Sequence, residues 1–348
     1  MTSIIARRGL PLLPLLMLGA CNTVVMKPSG DIAAQQADLI VVSTALMLLI
    51  IVPVIALIVL FAWRYRKNNT AATYTPDWDH STRLELVIWG APLLIIIALG
   101  LITWISTHVL DPYRPLQRLD AARPIPMDTK PMVVEVVALD WKWLFIYPEL
   151  GIATVNELVA PIDVPVRFKI TASTVMNSFF IPAMAGQIYA MPGMQTTLNA
   201  VINKPGSYDG FSANYSGAGF SDMRFKFHGK DQAGFDAWVK SVKAGTAGGT
   251  VAGAAPLDRS TYLALEKPSQ REAVRHYATV DATLYDAILN RCVEPGAACM
   301  NETMAADAHA NHQASARPKP AMLAQSTSAE ICITPTTSVK KTTNAKPN

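Results

Sequence analysis

The stretch "MVVEVVALDWKWLFIYP", residues 132–148, decides the fold class of the larger part of this chain. It is rich in Val, Ile, Phe and Trp, the residue types that strands favour, and prolines bound it. Shorter stretches of the same kind follow, separated by Pro, Gly or Asn. They are "VPVRFKITAS" at 164–173, "NSFFIPAMA" at 177–185, "TTLNAVINKPGSY" at 196–208 and "MRFKFHG" at 223–229. Closely spaced strands predict a β-sandwich or barrel over residues 111–230.

The sequence after these strands predicts helices. "DQAGFDAWVKSVKAG", residues 231–245, has an amphipathic pattern with Asp231 as the N-cap and a glycine at its end. "TAGGTVAGAAP", which follows, has the composition of a flexible linker. A second helical stretch surrounds "DATLYDAILNR" at 281–291. We therefore expect a C-terminal helical region over residues 231–295.

The last part of the chain, residues 296–348, is rich in Ala, Thr, Ser, Lys and Pro and almost lacks aromatic residues. A segment of this composition buries too little apolar surface to fold, so we expect a disordered tail. His309 and His312 have a ligand-like spacing within it. Because no fold would hold them together, we interpret this spacing as incidental.

The sequence before the strands is that of a membrane anchor. The chain is 51% hydrophobic, and its mean hydropathy of +0.24 is high for a soluble protein of this size. From Leu39 to Trp63 and again from Leu86 to Thr107 it carries no charged residue. Each run is long enough to cross about 30 Å of hydrocarbon. They predict a transmembrane hairpin within residues 21–110.

The charge pattern orients this hairpin. "RYRKNN", residues 64–69, and Arg83 lie between the two spans. Short loops rich in Lys and Arg stay on the cytoplasmic side, so both termini and the strand-rich region are expected outside. The net charge is only +4 and the basic residues are scattered, which gives no support for a nucleic-acid partner.

The N-terminus agrees with that orientation. Arg7 and Arg8 precede an apolar run from Leu10 to Leu18, as in an export signal over residues 1–20. The "LGAC" that ends at Cys21 matches the box of lipoproteins, in which the cysteine is acylated. The alternative is an ordinary signal peptide with a nearby cysteine.

Two further features remain open from the residues alone. In an oxidising compartment, Cys292 and Cys299 either close a disulfide loop or stay free thiols in a mobile tail. Glu85 stands at the start of the second span. A carboxylate at membrane depth is usually paired or placed on an ion route. The alternative is a charge favoured by the helix dipole, with Arg83 nearby.

A glycine-rich loop, "NYSGAGFSDM" at 214–223, and "ALDWKW" at 138–143 give the chain a family resemblance. Over residues 21–290 it resembles subunit II of the haem-copper oxidases. Copper-bearing members hold a binuclear centre with a Cys-x3-Cys-x3-His-x2-Met loop and a histidine on an earlier strand, because soft thiolates and imidazoles suit copper. In this sequence the corresponding positions are Asn177, Tyr215, Gly219, Met223 and Lys226.

This departure, with "DWKWLFIYPELGIATVNELVAP" at 140–161 and "YSGAGFSDMRFK" at 215–226, resembles the quinol-oxidase branch, the bo-type cytochromes. The resemblance implies an α+β membrane protein: a two-helix transmembrane hairpin, an extracytoplasmic cupredoxin-like β-sandwich and C-terminal helices. It also implies no cofactor in this chain, with haems and copper in subunit I. The complex would oxidise ubiquinol, reduce oxygen to water and pump protons in the bacterial inner membrane.

The resemblance also implies partners and roles. The partners are subunit I, the other oxidase subunits and membrane lipid, and ubiquinol is reached through subunit I. Glu85 matches a glutamate that lies at the entrance of a proton path in the family, so its expected role is proton entry beside a role in assembly. Trp141 and Trp143 match donor-facing tryptophans of the copper-bearing relatives, and here we expect them to pack against the sandwich or subunit I.

Two alternatives belong to other classes. One is a copper-binding subunit II of a cytochrome c oxidase, against which the missing ligands count. The other is a free-standing membrane lipoprotein that binds a periplasmic partner through its sandwich. Pro53 and Glu85 count against it, because a helix kink and a charge in a span both call for neighbouring helices.

Overall fold

The computed structural model describes residues 23–73, 75–126, 128–248 and 256–316, and the side chains only as far as residue 308. The export signal, Cys21 and most of the expected tail therefore lie outside the described residues. The described residues up to Glu302 form one compact unit, and those from Thr303 onward form a second.

Two long apolar helices form the expected hairpin. Helix α1 is Asp31–Arg64 and helix α2 is Thr82–Val109, and both are long and apolar enough to cross a membrane. α1 begins earlier than the uncharged run at Leu39. These extra turns carry several polar side chains, and three of their residues, Asp31, Ala33 and Ala37, are buried. The charge-free run therefore delimits only the apolar span, and the helix itself begins earlier, next to the sandwich.

The region after the hairpin is the predicted β-sandwich. The strands are β1 Met132–Leu139, β2 Lys142–Tyr147, β3 Ile152–Val155, β4 Glu157–Pro161, β5 Val166–Ala172, β6 Asn177–Phe180, β7 Ile188–Ala190, β8 Thr196–Ala200, β9 Gly206–Ser212, β10 Arg224–Lys230, β11 Pro256–Leu257, β12 Arg275–Tyr277 and β13 Thr279–Val280. The six-stranded sheet of the sandwich has the order β12-β3-β2-β1-β5-β8, and the five-stranded sheet has the order β4-β10-β9-β6-β7. β5 pairs parallel with β1, and β4 pairs parallel with β10.

The stretch 132–148 is not one strand but an antiparallel hairpin of β1 and β2, in which Leu139 pairs with Lys142. Trp141 makes the turn with a φ of 146°. Every residue of β2 is buried. Trp143 and Phe145 point into the sandwich, whereas Leu144 and Ile146 point to its outside and are covered there too. A strand buried on both faces has a continuous apolar run rather than an alternation.

The C-terminal region supplies that second cover. It contains the helices α3 Gln232–Lys243, α4 Arg259–Glu266 and α5 Leu284–Leu289, followed by α6 Met300–Ala316. Tyr262, Tyr277 and Tyr285 are buried with the outward side chains of β1, β2 and β3. Asp231 caps α3 as the sequence predicts, since its side chain accepts a hydrogen bond of 2.9 Å from the Gly234 amide. The sequence patterns do not predict helix α4.

The segment after residue 296 differs from the expectation where it is described. Residues 300–316 form the helix α6 instead of a disordered chain. The segment is rich in alanine, which has the highest helix propensity, and a low content of aromatic residues does not exclude a helix. Just before it, Cys292 and Cys299 are joined by a disulfide, with their Cα atoms 4.9 Å apart.

Candidate functional site

The loop between β9 and β10 is tied to β6 at one end of the sandwich. The Ser212 hydroxyl donates to Asn177 Oδ1 at 3.0 Å. The Asn214 side-chain amide donates to the Met176 carbonyl at 3.2 Å, and the Ala213 amide donates to the Ser178 carbonyl at 2.9 Å. The fold thus brings Asn177 on β6 next to the loop, two parts of the chain that the expected copper pattern of the family would join.

The indole of Trp141 fills the inside of this loop. Its Nε1 donates to the Ser216 carbonyl at 3.0 Å. A Cβ atom placed on Gly219 would lie 2.5 Å from the indole Cγ, and one on Gly217 would lie 3.1 Å from its Cζ2. Gly217 also has a φ of +113°, where side chains are strained. The loop therefore needs glycine at both positions because the ring lies against its backbone.

The positions that correspond to copper ligands have other contacts. Buried Asn177 accepts from Ser212 and donates to the Val175 carbonyl at 3.1 Å. Buried Met223 has its sulfur 3.9 Å from the Ser216 hydroxyl. Exposed Lys226 pairs with Asp209 at 2.5 Å.

The two positions that the family resemblance matches to cysteines are Tyr215 and Gly219. The Tyr215 side chain is turned outward, with the residue 73% exposed, and its ring contacts Phe220. Gly219 has no side chain to offer. Within residues 23–308, apart from the undescribed positions, no group of three or more His, Cys, Asp or Glu side chains is arranged to hold a metal ion. A donor set without thiolate or imidazole does not fit a binuclear copper centre.

The two tryptophans of "DWKW" have different surroundings. Trp143 is fully buried in the sandwich core, with its ring 5.4 Å from that of Phe179 and 5.8 Å from that of Phe225. Trp141 is partly buried and packs on the loop. Both contacts are with the sandwich of this chain.

Glu85 lies in the first turn of α2, and its Oε1 is 2.9 Å from His80 Nδ1. Its side chain is 51% exposed. The neighbour of Glu85 is therefore His80, which precedes the helix, and not Arg83 as the sequence suggests. The signal for His80 was its place just before the N-terminus of the span, where a loop can fold back onto the first turn.

A second polar cluster was not recognised in the sequence. Glu157 on β4 accepts from His276 Nε2 on β12 at 2.7 Å and from Trp238 Nε1 on α3 at 3.3 Å, and His228 Nε2 on β10 lies 3.6 Å away. Burial raises the pKa of the Glu157 carboxyl, but the His276 hydrogen bond and the two imidazole charges hold that pKa below its ordinary value. These residues are far apart in sequence, so only the fold groups them.

Comparison with known proteins follows this architecture. The family model described as "Cytochrome C oxidase subunit II, periplasmic domain" matches residues 148–228, and the "COX Aromatic Rich Motif" matches residues 252–296. The second match includes Tyr262, Tyr277 and Tyr285, which pack on the outer face of the six-stranded sheet. Two apolar helices that carry a cupredoxin-like sandwich of this kind define the class: subunit II of the haem-copper oxidases.

Full-length relatives identify the branch. The chain is 50% identical to "Cytochrome bo(3) ubiquinol oxidase subunit 2" of Pseudomonas putida, over 81% of this chain and 84% of that protein. It is 47% identical to the protein of the same name from Pseudomonas aeruginosa, over 82% and 81%. It is 46% identical to "Ubiquinol oxidase subunit 2" of Acetobacter aceti, over 79% and 84%. The chain belongs to the ubiquinol oxidase subunit 2 family.

Proposed function

We propose that this chain is the copper-free subunit II of a bacterial ubiquinol oxidase. In the complex, subunit I would hold the haems and copper, oxidise ubiquinol, reduce oxygen to water and pump protons. The observation that carries this proposal is the packed loop at residues 214–223. Its ligand positions are occupied by groups that do not suit copper, and Trp141 fills its interior.

The physical reason lies in the electron donor. A soluble donor protein docks outside the membrane, so its electrons need a metal relay in the outer domain. A quinol dissolves in the bilayer and can reach a haem of subunit I directly. The relay is then unnecessary, and the sandwich is retained for its fold and its contacts.

The role that remains for this chain is support of assembly. The amides of Ser29 and Gly30 donate to the Ala183 carbonyl at 2.9 and 3.0 Å, and the Asn203 amide donates to the Ser29 carbonyl at 2.8 Å. These contacts fix the start of α1 on the sandwich. The two apolar helices have wide exposed apolar faces, which suit lipid and the helices of subunit I.

The proposed location is the inner membrane, with the sandwich and both termini on the periplasmic side. The support is the segment between α1 and α2, which carries Arg66 and Lys67 and is flanked by Arg64 and Arg83. A short loop with this charge favours the cytoplasmic side. Acylation of Cys21 would add a second anchor to the outer leaflet.

Proton entry through Glu85 is the finer part of the proposal. The carboxylate lies in the first turn of α2, next to the basic loop, and half of its side chain is open. The His80 imidazole lies within hydrogen-bonding distance of this carboxylate. An exposed carboxylate beside an imidazole at the mouth of a span can accept protons from the cytoplasm and pass them to a partner subunit.

The deciding experiment combines donor choice with metal analysis. The purified complex should turn over with ubiquinol and not with reduced soluble cytochrome c. The full chain separated from that complex in detergent should contain no stoichiometric copper. Rapid turnover with cytochrome c, or bound copper, would establish the copper-binding alternative instead. Purification of the chain without any haem-bearing partner would favour the free-standing lipoprotein.

A further inference from the structure

A cavity with a mixed polar and apolar lining lies where the Asp31 end of α1 and the Val109 end of α2 meet the sandwich. Its volume is about 320 Å³, which falls within the range of small-molecule sites. α1, the segment that follows α2, and strand β8 all contribute to its wall. The polar lining includes Asp31, Gln35, Gln36, Asp111, Arg114 and Asn199.

An apolar groove begins at the lower edge of this cavity and runs between the two helices. Its volume is about 400 Å³, and Gln35, Val109 and Leu110 line both the groove and the cavity. The side chains that face the groove beyond them are mainly aliphatic: Leu39, Val42, Ile102 and Ile105. The cavity, with its polar side chains, and the apolar groove are therefore continuous. Together they suit a molecule with a polar head group and a hydrocarbon chain.

An ion pair between the buried carboxylate of Asp31 and the partly exposed guanidinium of Arg118 gives the cavity a fixed wall. The Asp31 side chain is 5% exposed, and its Oδ2 accepts from Arg118 Nε at 3.0 Å and from Gln35 Nε2 at 2.7 Å. Because the charges of Asp31 and Arg118 neutralise each other, the pair stabilises the wall of the cavity without contributing to the net charge of its lining. This wall is built from α1 and from the segment that precedes β1, so it forms only in the folded protein.

The remaining charges of the two spaces have both signs. Arg114 is exposed, and the one side-chain hydrogen bond that its guanidinium makes among the described residues is a long one, of 3.4 Å, to the His108 carbonyl. Asp111 lines the cavity and Asp38 lines the groove just below it. An anionic group would be attracted by Arg114 but repelled by the two carboxylates. A head group with a phosphate and an ammonium matches all of them.

We propose that this joint site binds one zwitterionic phospholipid with an ammonium head group, such as phosphatidylethanolamine. Its phosphate lies at Arg114, its ammonium lies toward Asp111 and Asp38, and one acyl chain lies in the groove between α1 and α2. The site is at the boundary between the outer domain and the spans, which is the depth of lipid head groups. The proposal rests on the two helices spanning a bilayer and is independent of the electron donor.

The test uses the full oxidase complex, stripped of lipid and reconstituted into nanodiscs. One preparation contains phosphatidylethanolamine with a photoactivatable diazirine beside its head group, and the other contains phosphatidylglycerol with the same probe. After irradiation, mass spectrometry of peptides measures the labelling. We expect phosphatidylethanolamine to label residues 31–42 and 102–118, and phosphatidylglycerol to label them much less.

Variants localise the label. Arg114→Gln removes one charge-assisted contact and should lower the labelling by about tenfold. Ile105→Trp fills the groove and should lower it without any change in charge. Arg224→Gln removes an exposed arginine of β10, far along the chain from the cavity lining, and should leave labelling unchanged. Haem content, measured on the same samples, shows that each variant complex is assembled.

Three outcomes would overturn the proposal. Equal labelling by the two lipids would define a site for phosphate alone. Displacement of the label by a short-chain ubiquinone would define a quinone site. If residues 31–42 and 102–118 were labelled no more strongly in the wild-type complex than in Ile105→Trp, another subunit would fill the groove. Because the readout is binding, each outcome can be read even if the complex uses a donor other than ubiquinol.

Discussion

The indole of Trp141 lies directly against the backbone of Gly219. The indole lies where a side chain at residue 219 would begin, at 2.5 Å from an ideal Cβ. A cysteine ligand at this position is therefore incompatible with the present Trp141 conformation. Packing on the aromatic ring therefore stabilises the path of the loop.

Gly219→Ala tests this packing. The added methyl group would force the indole or the loop backbone to move, and overpacking of this kind costs about 1–3 kcal/mol. We expect a lower urea midpoint for the full chain in detergent, followed by tryptophan fluorescence. Gly248→Ala is the matched control, since nothing lies within 4 Å of the position that its new methyl group would take. Equal midpoints for the two variants would contradict the proposed role of Trp141.

Glu85 gives a prediction about activity rather than stability. Glu85→Ala should slow ubiquinol turnover several-fold while haem content stays normal, because the carboxylate that we propose as the proton entrance would be missing. The measurement is oxygen uptake per haem in the reconstituted complex. Glu149→Ala, which removes an exposed carboxylate of the sandwich, is the control. Unchanged turnover in Glu85→Ala would remove Glu85 from the proton path.

Among the elements, β12 and α3 are fastened to the five-stranded sheet by Glu157. His276 and Trp238 bind its carboxylate directly, and His228 lies beside it. β12 also pairs with β3 at the edge of the other sheet. One carboxylate on β4 thus joins both sheets of the sandwich to the C-terminal cover, and its charge is part of that connection.

The Glu157 cluster predicts a pH dependence. The pKa of its carboxyl is lower in the folded protein than its ordinary value of 4.5. The ionised carboxylate therefore stabilises the fold above about pH 4.5, and this contribution is lost as the pH falls through the lower folded pKa. Glu157→Gln should destabilise the full chain by about 1–3 kcal/mol at neutral pH and by much less in acid.

Urea midpoints of the full chain, measured from neutral pH down to about pH 3, would show this convergence of wild type and Glu157→Gln. Glu149→Gln is the control, because it neutralises an exposed carboxylate and should follow the wild-type curve. A constant gap between wild type and Glu157→Gln at every pH would mean that the side chain acts by packing and not by its charge.

At the scale of the whole molecule, the hairpin and the sandwich form a single unit. A Cβ on Gly30 would lie 2.3 Å from the Val201 carbonyl oxygen and 2.7 Å from that of Met184, so the chain enters α1 in direct backbone contact with the sandwich. The Asp31 and Arg118 ion pair holds the other side of the same junction. The outer domain is thus fixed to its anchor by α1 itself.

The orientation of the whole chain can be tested by labelling intact spheroplasts. In a Cys332→Ser background, a cysteine introduced by Asn68→Cys should react with a membrane-impermeant maleimide only after lysis, because the proposed topology places the basic loop in the cytoplasm. A cysteine introduced by Lys240→Cys on α3 should react in both conditions. The opposite pattern would place the sandwich in the cytoplasm and exclude the proposed topology.

The sequence by itself determined the features that depend on local composition. The charge-free runs predict the spans, since hydrocarbon excludes charges, and the strand-rich stretches predict the sandwich. Tyr215 and Gly219 offer no thiolate, so the residue types alone support the expectation of a copper-free loop. Asp231 is recognisable as a helix cap because capping is a contact between near neighbours.

Only the tertiary structure decided the features that join distant parts of the chain. The burial of β1 and β2 on both faces requires the C-terminal helices, and the Glu157 cluster requires β4, β10 and β12 to come together. The same is true of Trp141 inside the glycine loop and of the cavity above α1 and α2. Such contacts depend on strand order and side-chain shape, which a one-dimensional pattern does not encode.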